Sequence, residues 1–331
     1  MSLFKALRVH QLDDGIASRL EEIAIDDLTP GEVVIDLHYS SLNYKDALAV
    51  TGKGRIMRSF PLTAGIDLAG VVESSSDARF SPGDEVLVTG CNIGEQFDGG
   101  LAQKARVAAD SVVRLPEGLS LKESMMLGTA GFTAGLAVRR MLENHQVPDM
   151  GPVAVTGPTG GVGSVACNIL SQLGFEVAAI TGKPEAGADY LKALGVAQII
   201  DRNTLDLGSK PMEKAVWGGA VDNVGGDVLT YLTRTVKLWG NIASIGLAAS
   251  PKLNTTVIPF ILRGVNLLGI HSVETPMPVR QAVWDKLASE WKPSKLADIA
   301  CHETGLDGVQ AACDKIIAGK VTGRYVVNIK E

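Results

Sequence analysis

The most specific chemistry in this sequence sits in seven consecutive residues, Gly157-Pro158-Thr159-Gly160-Gly161-Val162-Gly163. A short apolar run, Pro152 to Thr156, precedes them, and small and apolar residues at helical spacing follow from Val162 to Leu173. A second apolar run comes at Phe175 to Ile180. Strand, glycine turn, helix and second strand is the arrangement that takes a dinucleotide pyrophosphate. Glycines let the backbone approach the phosphates, and the helix N-terminus aims N–H groups and a positive dipole at them. Pro158 stands where the usual fingerprint has its first glycine. A merely tight βα turn is the competing explanation, and three further glycines with the right flanks weigh against it.

The residues after the second strand select the nucleotide. Binders of NAD carry an acid there, which grips the ribose hydroxyls. This strand ends Ile180-Thr181-Gly182-Lys183, a hydroxyl and a cation with no acid. A 2′-phosphate is attracted by Lys183, and Arg202 beyond the third strand offers it a planar fork. The pair predicts NADPH over NADH, against the alternative of solvated surface charge.

These residues need a scaffold. With 331 residues the chain is long for one compact domain, and 46% hydrophobic residues supply ample core. Up to about residue 120, short strand-like runs alternate with Pro/Gly turns: Glu32 to Tyr39, Gly70 to Glu73 and Asp84 to Val88. That pattern predicts a barrel-like β domain, beginning with a strand at Met1 to Val9. After Pro116 helical segments open at Ser120 to Met126 and continue from Gly128 to Leu142. Strands then alternate with helices through Gly219 to Asn223 and Gly240 to Ile245, which predicts a doubly wound parallel sheet. The last strand, Gly323 to Ile329, is expected to return to the β domain. The expected division is a catalytic β domain at 1–125 and 300–331, with a nucleotide-binding domain at 126–299.

A net charge of −6 argues against general nucleic-acid or membrane-surface binding. No secretory signal or membrane span is visible, so a cytoplasmic protein is expected. The four cysteines, Cys91, Cys167, Cys301 and Cys313, include no Cys-x-x-Cys pair, which leaves no metal-ligand spacing.

Several motifs together resemble the medium-chain dehydrogenase/reductase superfamily. They are Asn43-Tyr44-Lys45-Asp46, the stretch Pro61 to Gly70, Pro82-Gly83-Asp84-Glu85-Val86, Gly99 to Gln103, Gly128 to Ala134 and the turn at 157–163. The resemblance covers essentially the whole chain. It implies a Rossmann domain joined to a GroES-like β domain. The zinc branch has a ligand Cys near Asn43 and Gly-His-Glu where this chain has Gly65-Ile66-Asp67, so the resemblance is to the zinc-free quinone oxidoreductase branch. Within it, Ser41 to Asp46, Asp222-Asn223-Val224-Gly225-Gly226, Thr256 to Arg263, Gly269 to Val273 and Gly323-Arg324 look like the acrylyl-CoA reductase subfamily.

That resemblance implies NADPH-dependent reduction of the acrylyl-CoA double bond. It also implies a cofactor site lined by Tyr44, Thr159, Gly160, Gly161, Val162, Gly163, Thr181, Gly182, Lys183, Arg202, Leu247, Ile261, Ser272 and Arg324, with Thr133 facing the nicotinamide. The reaction delivers hydride to the β-carbon and a proton to the α-carbon, and charge builds on the carbonyl oxygen between the two events. Asn43 and Tyr44 are candidate hydrogen-bond donors to that oxygen, and Asp46 is a candidate orienting group or proton relay. Each has a plainer alternative: a turn residue, a packing aromatic and a helix N-terminal acid. Lys53, Arg55 and Arg58 form a basic loop that could meet CoA phosphates, or could simply be solvated. A quinone or small-electrophile reductase and an idle NADPH-binding protein remain competing functions. The superfamily's habit of pairing through an edge strand makes a homodimer the expected assembly, with Asn254 to Ser272 as the candidate contact.

Overall fold

The computed structural model describes residues 3–13 and 15–331. The chain divides into two compact units. One comprises the chain to Phe132 with 272–289 and 296–331, the other 133–271 with 290–295.

The first unit is β-rich. Its larger sheet runs His302–Thr304, Tyr325–Asn328, Val33–Leu42, Asp67–Ser75, Glu85–Thr89 and Val113–Arg114, and Lys104–Val107 also pairs with Val33–Leu42. A three-stranded sheet pairs Gly15–Ile23, Phe4–Leu12 and Leu62–Thr63. Met1 and Ser2, the start of the expected first strand, lie outside the described residues. The central strand Val33–Leu42 shows why this region folds as a sheet. Val33, Ile35 and Leu37 alternate inward and are fully buried, as a half-buried strand requires. The tail strand returns as expected, antiparallel to the central strand with Tyr325 opposite Leu42. That register sets Arg324 beside Asn43, although 281 positions separate them in the chain.

Residues 126–132, 272–289 and 296–299 fall in the expected nucleotide-binding span of 126–299, yet they pack within the first unit. The helix Met277–Leu287 carries the reason. Trp284 stacks on Phe132 with ring centroids 6.1 Å apart, and the Arg280 guanidinium lies 4.7 Å from the Phe132 centroid. Arg280 also donates to the carbonyl oxygens of Thr89, Ser272 and Val273.

The second unit is a six-stranded, all-parallel sheet. Its order is Gln198–Asp201, Val177–Thr181, Val153–Thr156, Gly219–Asp222, Asn241–Ser244 and Asn266–Gly269. Numbered along the chain within this unit, that is 3-2-1-4-5-6, the Rossmann order. The first strand is wholly buried and feeds the helix Gly161–Gln172, whose residues Gly163 to Leu170 are all buried. Strands buried on both faces read as continuous apolar runs, which is how they stood out in the sequence. Among the described residues no helix is long and apolar enough to cross a membrane.

Candidate active site

Asn43 caps the start of the helix Tyr44–Val50, and Asp46 is its third residue. The Asp46 carboxylate turns back to accept the Asn43 backbone N–H at 2.8 Å and the Asn43 side-chain N–H at 3.1 Å. Its other oxygen accepts the Ile66 backbone N–H at 2.9 Å. Asp46 is therefore both the helix N-terminal acid and part of a deeper network. Burial, and then the nearby charge of Asp67, push its pKa up to about 7, against the pull of the Asn43 and Ile66 hydrogen bonds.

Asp67 is the hub of that network. It opens the strand Asp67–Ser75 and is fully buried. Its carboxylate accepts from Ser41 Oγ at 2.6 Å, Asn43 Nδ2 at 2.7 Å, Thr129 Oγ1 at 2.6 Å and the Thr129 backbone N–H at 2.9 Å. Arg324, itself 3% exposed, donates to Ser41 Oγ at 2.8 Å and Asn43 Oδ1 at 3.2 Å. A third Arg324 bond, from Nε, reaches the Met126 carbonyl at 2.9 Å.

The geometry has a local cause at Gly128. The helix Leu121–Glu143 is broken there, with φ 51° and ψ −158°. This region of backbone space is essentially reserved for glycine. The break creates a helix C-terminus before it and a helix N-terminus after it, each with unpaired backbone groups. A cation, Arg324, takes a carbonyl on the first side, and an anion, Asp67, takes the Thr129 N–H on the second. Both placements suit the helix dipole. A side chain at 128 has no room: a Cβ there would lie 2.5 Å from Asp67 Oδ2, 2.5 Å from Ser41 Oγ and 2.6 Å from Arg324 Nη2.

The network changes the part Asn43 can play. Both N–H bonds of its amide go to carboxylates and its oxygen accepts from Arg324. Tyr44, by contrast, is 53% exposed and stands at the start of its helix. Lys53, Arg55 and Arg58 are all exposed, on the loop that follows that helix. Ser272 is half-buried, with its carbonyl held by Arg280. Asp67, Ser41, Thr129 and Arg280 are site residues that the sequence reading misses. Asp67, Ser41 and Thr129 stand inside motifs that carry the family resemblance, and an acid beside Gly65 and Ile66 is the available signal.

In the second unit the glycine turn takes the expected form. Gly157 is left-handed at φ 58° and Gly160 caps the helix without a side chain. A Cβ on Gly163 would fall 2.3 Å from the Gly157 carbonyl oxygen, so only glycine lets the helix pack this closely on the turn. Ser164 Oγ donates to the Pro158 carbonyl at 3.0 Å and braces it. Val162 is half-buried on the helix's first turn.

Thr181 is buried at the end of its strand, and its Oγ1 accepts the Lys183 backbone N–H at 3.1 Å. Lys183 and Arg202 are exposed. Arg202 lies so close over Gly182 that a Cβ there would meet its Nη2 at 2.9 Å. A Cβ on Gly187 would meet Thr159 Cγ2 at 3.1 Å and the Lys183 carbonyl at 3.3 Å, so the glycine turn and the Lys183 turn converge there. Thr133 is buried in its helix. Leu247 and Ile261 are 65% and 73% exposed. An open helix N-terminus, close-packed glycines and two cations at the second and third strands fit a phosphorylated dinucleotide.

Zinc fits less well. Among the described residues no group of three or more His, Cys, Asp or Glu side chains could hold a metal ion. The Asp67 carboxylate has its oxygens occupied by protein donors.

Two family models match the chain: "Alcohol dehydrogenase GroES-like domain" over residues 29–117 and "Zinc-binding dehydrogenase" over 161–289. The acrylyl-CoA reductase AcuI of Ruegeria pomeroyi is 44% identical, over 99% of both chains. The putative quinone oxidoreductase YhfP of Bacillus subtilis is 45% identical, also over 99% of both. Its crystal structure with NAD bound has a TM-score of 0.96 at 44% identity, covering 99% of this chain and 100% of that one. The yhdH oxidoreductase of Salmonella enterica, solved in complex with NADP, has a TM-score of 0.95 at 45% identity over 98% and 100% of the two chains.

Proposed function

The chain belongs to the medium-chain dehydrogenase/reductase family of oxidoreductases, and from that premise we propose that it reduces the activated double bond of acrylyl-CoA to propionyl-CoA with NADPH. The observation that carries the reading is its 44% identity to an acrylyl-CoA reductase over 99% of both chains. For the nucleotide, support comes from Lys183 and Arg202 beside a strand end that has no acid. Bound NADPH would supply the hydride for the β-carbon.

The protein's own part is orientation and proton handling. Asn43 and Arg324 act as positioning residues, because their polar atoms are committed to the buried network. Tyr44 is the donor for the substrate carbonyl, since it is half-exposed at the helix start. Asp46, with a pKa of about 7, holds or releases a proton near neutral pH. Lys53, Arg55 and Arg58 are proposed to meet the CoA phosphates, supported by three exposed cations within six residues. The reading includes a homodimer through the edge strand Asn266–Gly269, next to the exposed Val257, Ile261 and Leu262, and a cytoplasmic location.

A second reading, reduction of quinones or other small electrophiles, is favoured by the likeness to the putative quinone oxidoreductase. One assay separates the readings: NADPH oxidation with acrylyl-CoA, with a benzoquinone and with no acceptor. The thioester is expected to win by orders of magnitude in kcat/KM. A quinone winning would replace the substrate, and no turnover with either would leave a nucleotide-binding protein. Reversing the three charges at 53, 55 and 58 should raise KM for the thioester, and an unchanged KM would remove them from the substrate site.

A further inference from the structure

Asn223 follows the strand Gly219–Asp222, whose neighbour in the sheet is Val153–Thr156. In the 3-2-1-4-5-6 order the topological switch point lies between these two strands, and ligands of such sheets bind beyond their carboxyl ends. The Asn223 amide is held in one orientation. Its Nδ2 donates to the Thr156 carbonyl at 2.7 Å, and a carbonyl can only accept, so the side-chain oxygen cannot take that place. The Asn223 backbone N–H donates to Thr156 Oγ1 at 2.8 Å, and that hydroxyl donates onward to Asp222 Oδ1. Among the described residues, Asn223 Oδ1 is left buried with no donor.

A buried acceptor without a partner is costly, and native proteins seldom leave one. Here it borders the phosphate-binding turn: a Cβ on the left-handed Gly157 would be 3.5 Å from Asn223 Cβ. Lys183 and Arg202 stand at the second and third strands, on the other side of the first strand, where they suit the 2′-phosphate of the adenosine half. Asn223, at the fourth strand, faces the opposite half.

We propose that Asn223 Oδ1 is a cofactor-binding acceptor, taking one neutral N–H or O–H donor from the nicotinamide-riboside half of the dinucleotide. The donor is either the carboxamide N–H or a ribose hydroxyl. The inference rests on the reading of the second unit as an NADPH site.

The test compares wild type with Asn223→Ala in direct binding of three probes. These are NADPH, its 3-acetylpyridine analogue, which lacks the carboxamide N–H, and the analogue lacking the nicotinamide-ribose hydroxyls. Dissociation constants come from calorimetry, and the melting temperature is read with and without each probe. NADPH should bind the variant roughly tenfold more weakly. One analogue should bind wild type weaker by a similar factor and lose that penalty in the variant, which identifies the donor. NADPH binding within twofold of wild type, or equal analogue penalties in both proteins, overturns the proposal. If the variant does not fold, wild type alone decides, since analogues that bind as well as NADPH leave no donor for Asn223. If wild type prefers NADH, the nucleotide assignment fails, and the same analogue pairs built on NADH test Asn223.

Discussion

The two polar sites of this protein are built on opposite plans. Around Gly128 in the first unit, Ser41, Asn43, Asp46, Asp67, Thr129 and Arg324 satisfy one another, and their donors and acceptors point inward. Around Gly157 in the second unit, a helix start has no side-chain cap, two cations are exposed and one buried acceptor has no partner among the described residues. A saturated network holds geometry. An unsaturated one holds a ligand, because bound ligand atoms recover the desolvation cost the protein leaves standing. Both sites turn on a glycine with positive φ, and the space around each glycine reflects the plan.

Gly128→Ala should have the largest effect. The added Cβ collides with three polar atoms in a glycine-only conformation, so a loss of about 4 kcal/mol or more of unfolding free energy is expected. Denaturant melts check this, and a loss below about 1 kcal/mol would show that the network gives way easily. Lys183→Ala with Arg202→Ala should reduce the kcat/KM preference for NADPH over NADH by about 100-fold. Stability should stay within about 0.5 kcal/mol, since both residues are exposed. A melting shift without a change of preference would reverse the comparison.

Gly157→Ala has room, with its nearest neighbours at 3.5 and 3.6 Å, so only backbone strain of about 1–2 kcal/mol is expected. A cost matching that of Gly128→Ala would erase the distinction between the two glycines.

The most gradual effect is a slope, small at each step of pH. Asp46 has a native pKa of about 7 against 3.8 when unfolded, so the native state binds the extra proton between those values. Its contribution to stability is full below pH 4 and is lost as pH rises toward 7, by at most about 1.4 kcal/mol per pH unit. Subtracting the stability–pH curve of Asp46→Asn from that of wild type should reveal this fall. Parallel curves would place the Asp46 pKa near its ordinary value.

Much of the second unit was legible in the linear chain because its signals are local. A buried parallel strand is an uninterrupted apolar run, so 153–156 and 177–181 are legible with small errors at their ends, and the half-buried 198–201 is marked by its Ile199-Ile200 pair. The glycine turn, Thr181 and Lys183 lie within 27 consecutive residues. The first unit was less readable. The strand Gly15–Ile23 is intermediate or exposed along most of its length and carries no clean alternation, so no local pattern marks it. The helical segments meeting at Gly128 were visible, but the purpose of the break was not.

That break depends on residues at 41, 67, 128 and 324, which share no local pattern. Their meeting follows from strand register, with Tyr325 opposite Leu42 and Ala69 opposite Tyr39. The order of residues along the chain sufficed for the fold class, the phosphate-binding turn and the likeness to the family, because short-range periodicity and glycine placement carry them. Only the tertiary structure could decide that Asn43 is saturated, that Asp46 is buried beside Asp67 and that Asn223 Oδ1 is left over. Burial and hydrogen-bond saturation belong to the space between distant segments, where the packed sheet determines which donors reach which acceptors.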